Sequence, residues 1–154
     1  MKKNHLYLFL IVLISFAACT KKQQEAIAAT MEADVSVGGH FSATNVVGQL
    51  DPSPTLPGKT QLTISSSNGS RMLTIAIVDY DASNPVGTYT FNAATKKAIG
   101  GYNKGSGADD VLLSGTVQIT ASSTGGLGHL AQGTFTATTQ AGVQITNGNF
   151  SVTW

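Results

Sequence analysis

Charged residues are scarce in this chain: Asp, Glu, Lys and Arg make up 11% of its 154 residues. No basic field exists to neutralise phosphates, so nucleic acid is excluded as a partner class. There is one cysteine, Cys19, so no disulfide can form within the chain. Proline is rare, and three of the four prolines sit in the single stretch 51–58, DPSPTLPG. No G-x-S-x-G elbow occurs, which argues against an ordinary serine hydrolase. The glycine-rich stretch 100–107 lacks the helical pattern that a phosphate loop feeds. No cofactor motif is present.

What the chain does have begins at its N-terminus. Met1 to His5 is short and basic, Leu6 to Phe16 (LYLFLIVLISF) is apolar but for Ser15, and Ala17 and Ala18 precede Cys19. A basic start, an apolar middle and small residues at the cut are the layout of a bacterial secretory signal. The apolar run, about 11 to 13 residues, is short of the roughly 20 that a spanning helix needs. Phe16-Ala17-Ala18-Cys19 resembles the lipobox of bacterial lipoproteins, with Phe where Leu is commoner. The resemblance implies a diacylglyceryl group on the Cys19 sulfur, removal of residues 1–18, and attachment to the membrane through that lipid. One acyl chain binds marginally and two or three hold firmly, because each buried methylene contributes about 0.8 kcal/mol. By analogy with Gram-negative sorting, Thr20 in place of Asp after the cysteine implies the outer membrane of the cell envelope.

Loss of Lys2 and Lys3 with the signal would take the formal charge from +1 to −1. Residues 19–30, ending TKKQQEAIAAT, are polar and Ala-rich without β signals, and read as a flexible tether. Residues 31–154 are enough chain for one domain with one core. There Thr, Ser, Gly, Asn and Gln replace charges on the polar faces, and β-branched Thr suits an exposed pleated face.

The pattern after the tether has period two. Met31, Ala33, Val35 and Val37 alternate with polar residues, and Gly38-Gly39 gives the positive φ of a tight hairpin before Phe41. Val46 to Leu50 prolongs that second strand, and DPSPTLPG is a loop. Gln61–Ser67 and Arg71–Tyr80 flank an Asn68-Gly69 turn; the latter strand is apolar on both faces and reads as central and covered. Thr88–Asn92 is a short strand, and Ile99–Tyr102 is ambiguous. In Val111–Thr120, Val111, Leu113, Val117 and Ile119 share one face, with Leu112, Ser114, Thr116, Gln118 and Thr120 on the other. Residues 121–128 read as a turn. Ala131, Phe135 and Ala137 face one way in His129–Thr138. The final strand, Val143–Trp154, carries Asn147-Gly148 as a bulge. No sustained 3.6-residue period appears. The expectation is an all-β domain: a single antiparallel β-sandwich or flattened barrel of about eight or nine strands, preceded by a signal-peptide helix.

MEADVSVGGHFSATN at the start, GTFTATT, and VQITNGNFSVTW at the end together resemble small, uncharacterised all-β lipoproteins of Gram-negative bacteria. Their domains open with a strand, a glycine turn and a Phe-containing strand. They close with a Gly-x-Phe strand and an Asn-Gly-x-Phe strand. The resemblance implies a β-fold and a surface location, and carries over no active site.

The candidate site residues each have a plain alternative. Asp79, Asp81 and Asn84 place oxygens in one turn, as calcium requires, but Gly87 and Thr90 do not fit the helical calcium loop; an Asx-rich turn explains them as well. Asp109-Asp110 would point to opposite faces of an extended chain, unlike a glycosidase pair, and suit a strand end. His40 and His129 are hydrolase bases only if an acid and a serine meet them. Tyr80 and Tyr102 would stack on a glycan or a protein partner if exposed on one side; otherwise they, like Trp154, belong to the core. The leading reading is a non-catalytic, lipid-anchored envelope protein that binds a protein or glycan partner or serves as an accessory subunit. A small-ligand carrier would need a closed interior pocket lined by Leu, Ile and Phe.

Overall fold

The computed structural model describes residues 28–92, 94, 97–125 and 128–154. The signal segment, Cys19 and most of the tether lie outside the described residues. Among those described there is no helix.

Ten strands follow one another: β1 (Thr30–Val35), β2 (Gly39–Ala43), β3 (Asn45–Pro52), β4 (Thr60–Asn68), β5 (Arg71–Tyr80), β6 (Gly87–Thr90), β7 (Ala98–Asn103), β8 (Asp110–Gly125), β9 (Gly128–Thr139) and β10 (Gln144–Thr153). They form one antiparallel sheet in the order β2-β1-β10-β9-β8-β7-β5-β4-β3, with β6 paired to β8. The two edge strands, β2 and β3, are consecutive in the chain and separated by Thr44 alone. That corner brings the edges together, and the sheet curls into a nearly closed barrel. Closure of this kind leaves little unpaired edge to recruit another chain.

The inward residues come from alternate positions on every long strand. Met31, Phe41, Leu62, Ile64, Leu73, Ile75, Ile77, Val117, Ile119 and Ile145 are all fully buried in one core. Burying each such side chain contributes about 1.5–3 kcal/mol before entropy is counted.

Two of the motifs in the sequence meet across β9 and β10. Gly133 pairs with Phe150, and Gly148 pairs with Phe135. A Cβ on Gly133 would lie 2.7 Å from the Phe150 ring, and one on Gly148 would lie 2.7 Å from the Phe135 ring. Each phenyl therefore lies over the other strand's glycine. This reciprocal interlock explains Gly-x-Phe and Asn-Gly-x-Phe as a single packing device. Asn147 occupies the expected bulge, where the register shifts between Ile145 and Gly148, and takes a left-handed φ of 52°.

Several expectations are corrected. Thr30 belongs to β1, not to the tether, and Val37 lies in the hairpin turn, half exposed. Val46 to Leu50 does continue the chain of β2, but on the far edge of the sheet. Residues 121–125 extend β8, where a turn was expected. Met72 is exposed, so β5 is covered only over Ala76 and Val78 on its second face. The largest correction concerns β8. Its register against β9 shifts between Leu112 and Ser114, which makes Leu113 an extra residue. Leu112 consequently points inward with Val117 and Ile119, while Val111 and Leu113 are nearly half exposed. A single bulge reverses every side chain on one side of it.

Candidate functional site

Tyr80 and Tyr102 do not form an exposed pair. Both are buried, at 3% and 2% exposure, and they lie at opposite ends of β5: Tyr80 is its last residue, and Tyr102 pairs with Leu73 near its start. Tyr80 packs edge-on to Trp154 with centroids 6.2 Å apart. Burial raises the Tyr80 phenol above its ordinary pKa, the Ser122 hydroxyl opposes that, and Asp81 adds to it. Trp154 in turn stacks on His129 at 5.5 Å. The indole N–H is buried without an acceptor among the described residues, so ring contacts hold it. His129 is thus a stacking partner at this end of the barrel.

At the other end, Tyr102 meets a residue the sequence reading passed over. Arg71 Nε donates to the Tyr102 hydroxyl at 3.0 Å, Nη1 to the His40 carbonyl at 3.0 Å and Nη2 to the Gly39 carbonyl at 3.2 Å. Its guanidinium also lies over the Phe41 and Tyr102 rings, at 5.4 and 5.8 Å. The planar fork of donors suits this multiple contact, which a lysine could not make. Arg71 ties β5 to edge strand β2 and so fastens the barrel where no ladder closes it. The signal in the sequence was a lone arginine opening the most apolar strand, after an Asn-Gly turn.

His40 has an acid beside it: its Nδ1 is 2.9 Å from Asp34 Oδ1. Asn147 Nδ2 donates to the other oxygen, Oδ2, also at 2.9 Å. These two hydrogen bonds, that from Asn147 foremost, hold the Asp34 carboxyl below its ordinary range. No serine hydroxyl is hydrogen-bonded to either imidazole among the described residues. The pair reads as a brace across the β1–β2 hairpin, with Asn147 tying in the bulge of β10.

The acidic turn is satisfied from within. Asp81 Oδ1 accepts from the Ser83 amide at 2.9 Å and the Ser83 hydroxyl at 2.6 Å, bonds that lower its pKa, and the Asn84 amide reaches the Asp81 carbonyl. Asp79 pairs with Lys59 at 3.2 Å. Asp109 accepts from Asn103, and Asp110 accepts from the Ala141 amide at 3.0 Å, fixing the β9–β10 turn. Among the described residues no three His, Cys, Asp or Glu side chains converge as a metal would need.

Among the described residues, three of the concavities lie outside the packed interior. One, of about 380 Å³, sits by the β1–β2 turn between Val37, Tyr102, Lys104 and Val143. A second, of about 280 Å³, is apolar and lined by Ala98, Ile99, Val111, Leu112 and Leu113, with Thr55 and Asn92 at its rim; the Leu113 bulge creates it. The third, the largest of these three at about 480 Å³, crosses the outer face of β6, β8, β9 and β10 and is lined by Thr, Asn and Gln side chains with Phe135 and Gly148. Sequence reading missed the last two, because it treated exposed strand positions as solvated surface and did not see that register aligns them.

No protein-family model matches this sequence, and no curated protein and no solved structure matches it.

Proposed function

We propose that the chain is a lipid-anchored protein of the bacterial cell envelope, held at the outer membrane through Cys19, whose non-catalytic β-domain works by binding a protein or glycan partner at its outer surface. The observation that carries the surface reading is where the space lies. Met31, Phe41, Leu62, Ile64 and Ile145 fill the interior, while those three concavities among the described residues are open to the outside. A small-ligand carrier would need room that these side chains occupy. We read the architecture as a flattened barrel, because β8 and the β2–β3 corner run from one half of the sheet into the other.

The anchor reading rests on the basic, apolar and small-residue run that ends at Cys19. Thr30, where β1 starts, is 11 residues beyond Cys19, a reach of about 36–40 Å when extended. Such a tether leaves the barrel free to present any side to a partner. The test is Cys19→Ala. The native chain should incorporate labelled palmitate and pellet with membranes, and the variant should do neither. A native chain that stays unlabelled and soluble contradicts the anchor.

A further inference from the structure

We propose that the groove across the outer face of β6, β8, β9 and β10 binds a neutral glycan chain. This rests on the surface-binding reading above and gives it a ligand class and a place. Strand register sets Thr88, Gln118, Thr134 and Asn149 side by side in one row running across the four strands. Thr116 and Thr136 pair in the next row. All six are exposed. None of them spends its side chain on a hydrogen bond to another described residue, whereas Thr138 and Asn147 nearby do.

The chemistry of the row selects its ligand. Every hydroxyl and amide in it can both donate and accept. No ionisable group lines the groove. A phosphate, a sulfate or a uronate would be desolvated there with no counter-charge, which is costly. On the β1 side the first row runs on to Glu32, which repels an anionic chain further. A polyhydroxylated ligand without charge matches such a surface donor for acceptor. The threonine methyls offer an apolar bed for the C–H faces of sugar rings. Four strands about 4.8 Å apart make the row about 15 Å long, which favours several linked rings over a single one. The groove volume of about 480 Å³ lies within the range of small-molecule sites.

The experiment uses the full chain in detergent, run in native gels cast with dextran, mannan, xylan or laminarin, and with alginate as the anionic control. At least one neutral polymer should retard the protein, and alginate should not. The double variant Gln118→Ala/Asn149→Ala should lose about tenfold in affinity, as expected for two hydrogen-bonding groups, with its melting temperature unchanged. Ile99→Ser, in the apolar groove, should bind like the native chain. Three results overturn the proposal: no retardation by any neutral polymer, equal retardation of the double variant, or stronger retardation by alginate. A concentration-dependent dimer in light scattering that disappears in Thr134→Lys also overturns it, by assigning the face to a second copy. Palmitate labelling of the same preparation separates the two claims. A labelled chain that binds no glycan refutes the groove alone, and an unlabelled chain that binds glycan refutes the anchor alone.

Discussion

Along β8 and β9 the ladder runs from Leu112 against Thr139 to Gly125 against Gly128, whereas β7 and β8 meet only at Gly101–Val111 and Tyr102–Asp110. The first side of the barrel is sewn almost end to end and locked by the two glycine–phenylalanine pairs on β9 and β10. The second splays, and β6 fills the wedge by pairing with β8 further along. Their outer surfaces differ accordingly. Between the register shifts at Leu113 and Thr120, the outward positions stay in rows and read Thr, Gln, Thr, Asn. At the end of the β8–β9 ladder where β7 leaves β8, Leu113 bulges, and Val111 and Leu113 turn outward to line an apolar groove. The comparison teaches that surface chemistry in this domain follows from register, which interlocking side chains enforce in one region and a bulge resets in the other.

The largest effect should come from breaking the sewn side. Gly133→Val would drive a branched side chain into the Gln118 carbonyl and the Phe150 ring. Overpacking against backbone is expected to cost about 3 kcal/mol, a fall of roughly 10 °C in melting temperature. A variant that melts with the native chain would show that the interlock does not hold this region. Arg71→Ala attacks the closure at β2 instead. Losing charge-assisted bonds to two carbonyls and a phenol should cost about 2 kcal/mol in urea unfolding. Arg71→Lys should recover less than half of that, since an ammonium cannot fork; full recovery would reduce the clasp to simple charge. A smaller effect is expected at the β10 bulge. Asn147→Val places a β-branched residue at a positive φ and removes the bond to Asp34, for about 1 kcal/mol, while Asn147→Gly should stay within about 0.5 kcal/mol of the native chain.

The all-β character was legible because alternation, glycine turns and the lack of a helical period all agreed. So was the bulge at Asn147-Gly148, since Asn tolerates the left-handed region. The Leu113 bulge was not legible: Val111, Leu113, Val117 and Ile119 form an unbroken period-two series, and only the pairing with β9 shows that the series is interrupted. Nor was the fate of Tyr80 and Tyr102, because an aromatic at a strand end reads equally as a lid or as a contact. Arg71 was hidden for a related reason. Its partners, Gly39, His40 and Tyr102, are 31 or more residues away in the chain, and two of the three contacts use backbone carbonyls, which carry no sequence signature.

The register reset on β8 is the claim on which the apolar groove and the inward turn of Leu112 depend, and adjacent leucines test it directly. Leu112 is 4% exposed and Leu113 is 46% exposed. Truncating each to Ala and measuring unfolding in urea should give a loss of about 3 kcal/mol for Leu112→Ala and less than about 0.5 kcal/mol for Leu113→Ala. The opposite ranking, which an unbroken alternation requires, would contradict the bulge and remove the apolar groove from the account.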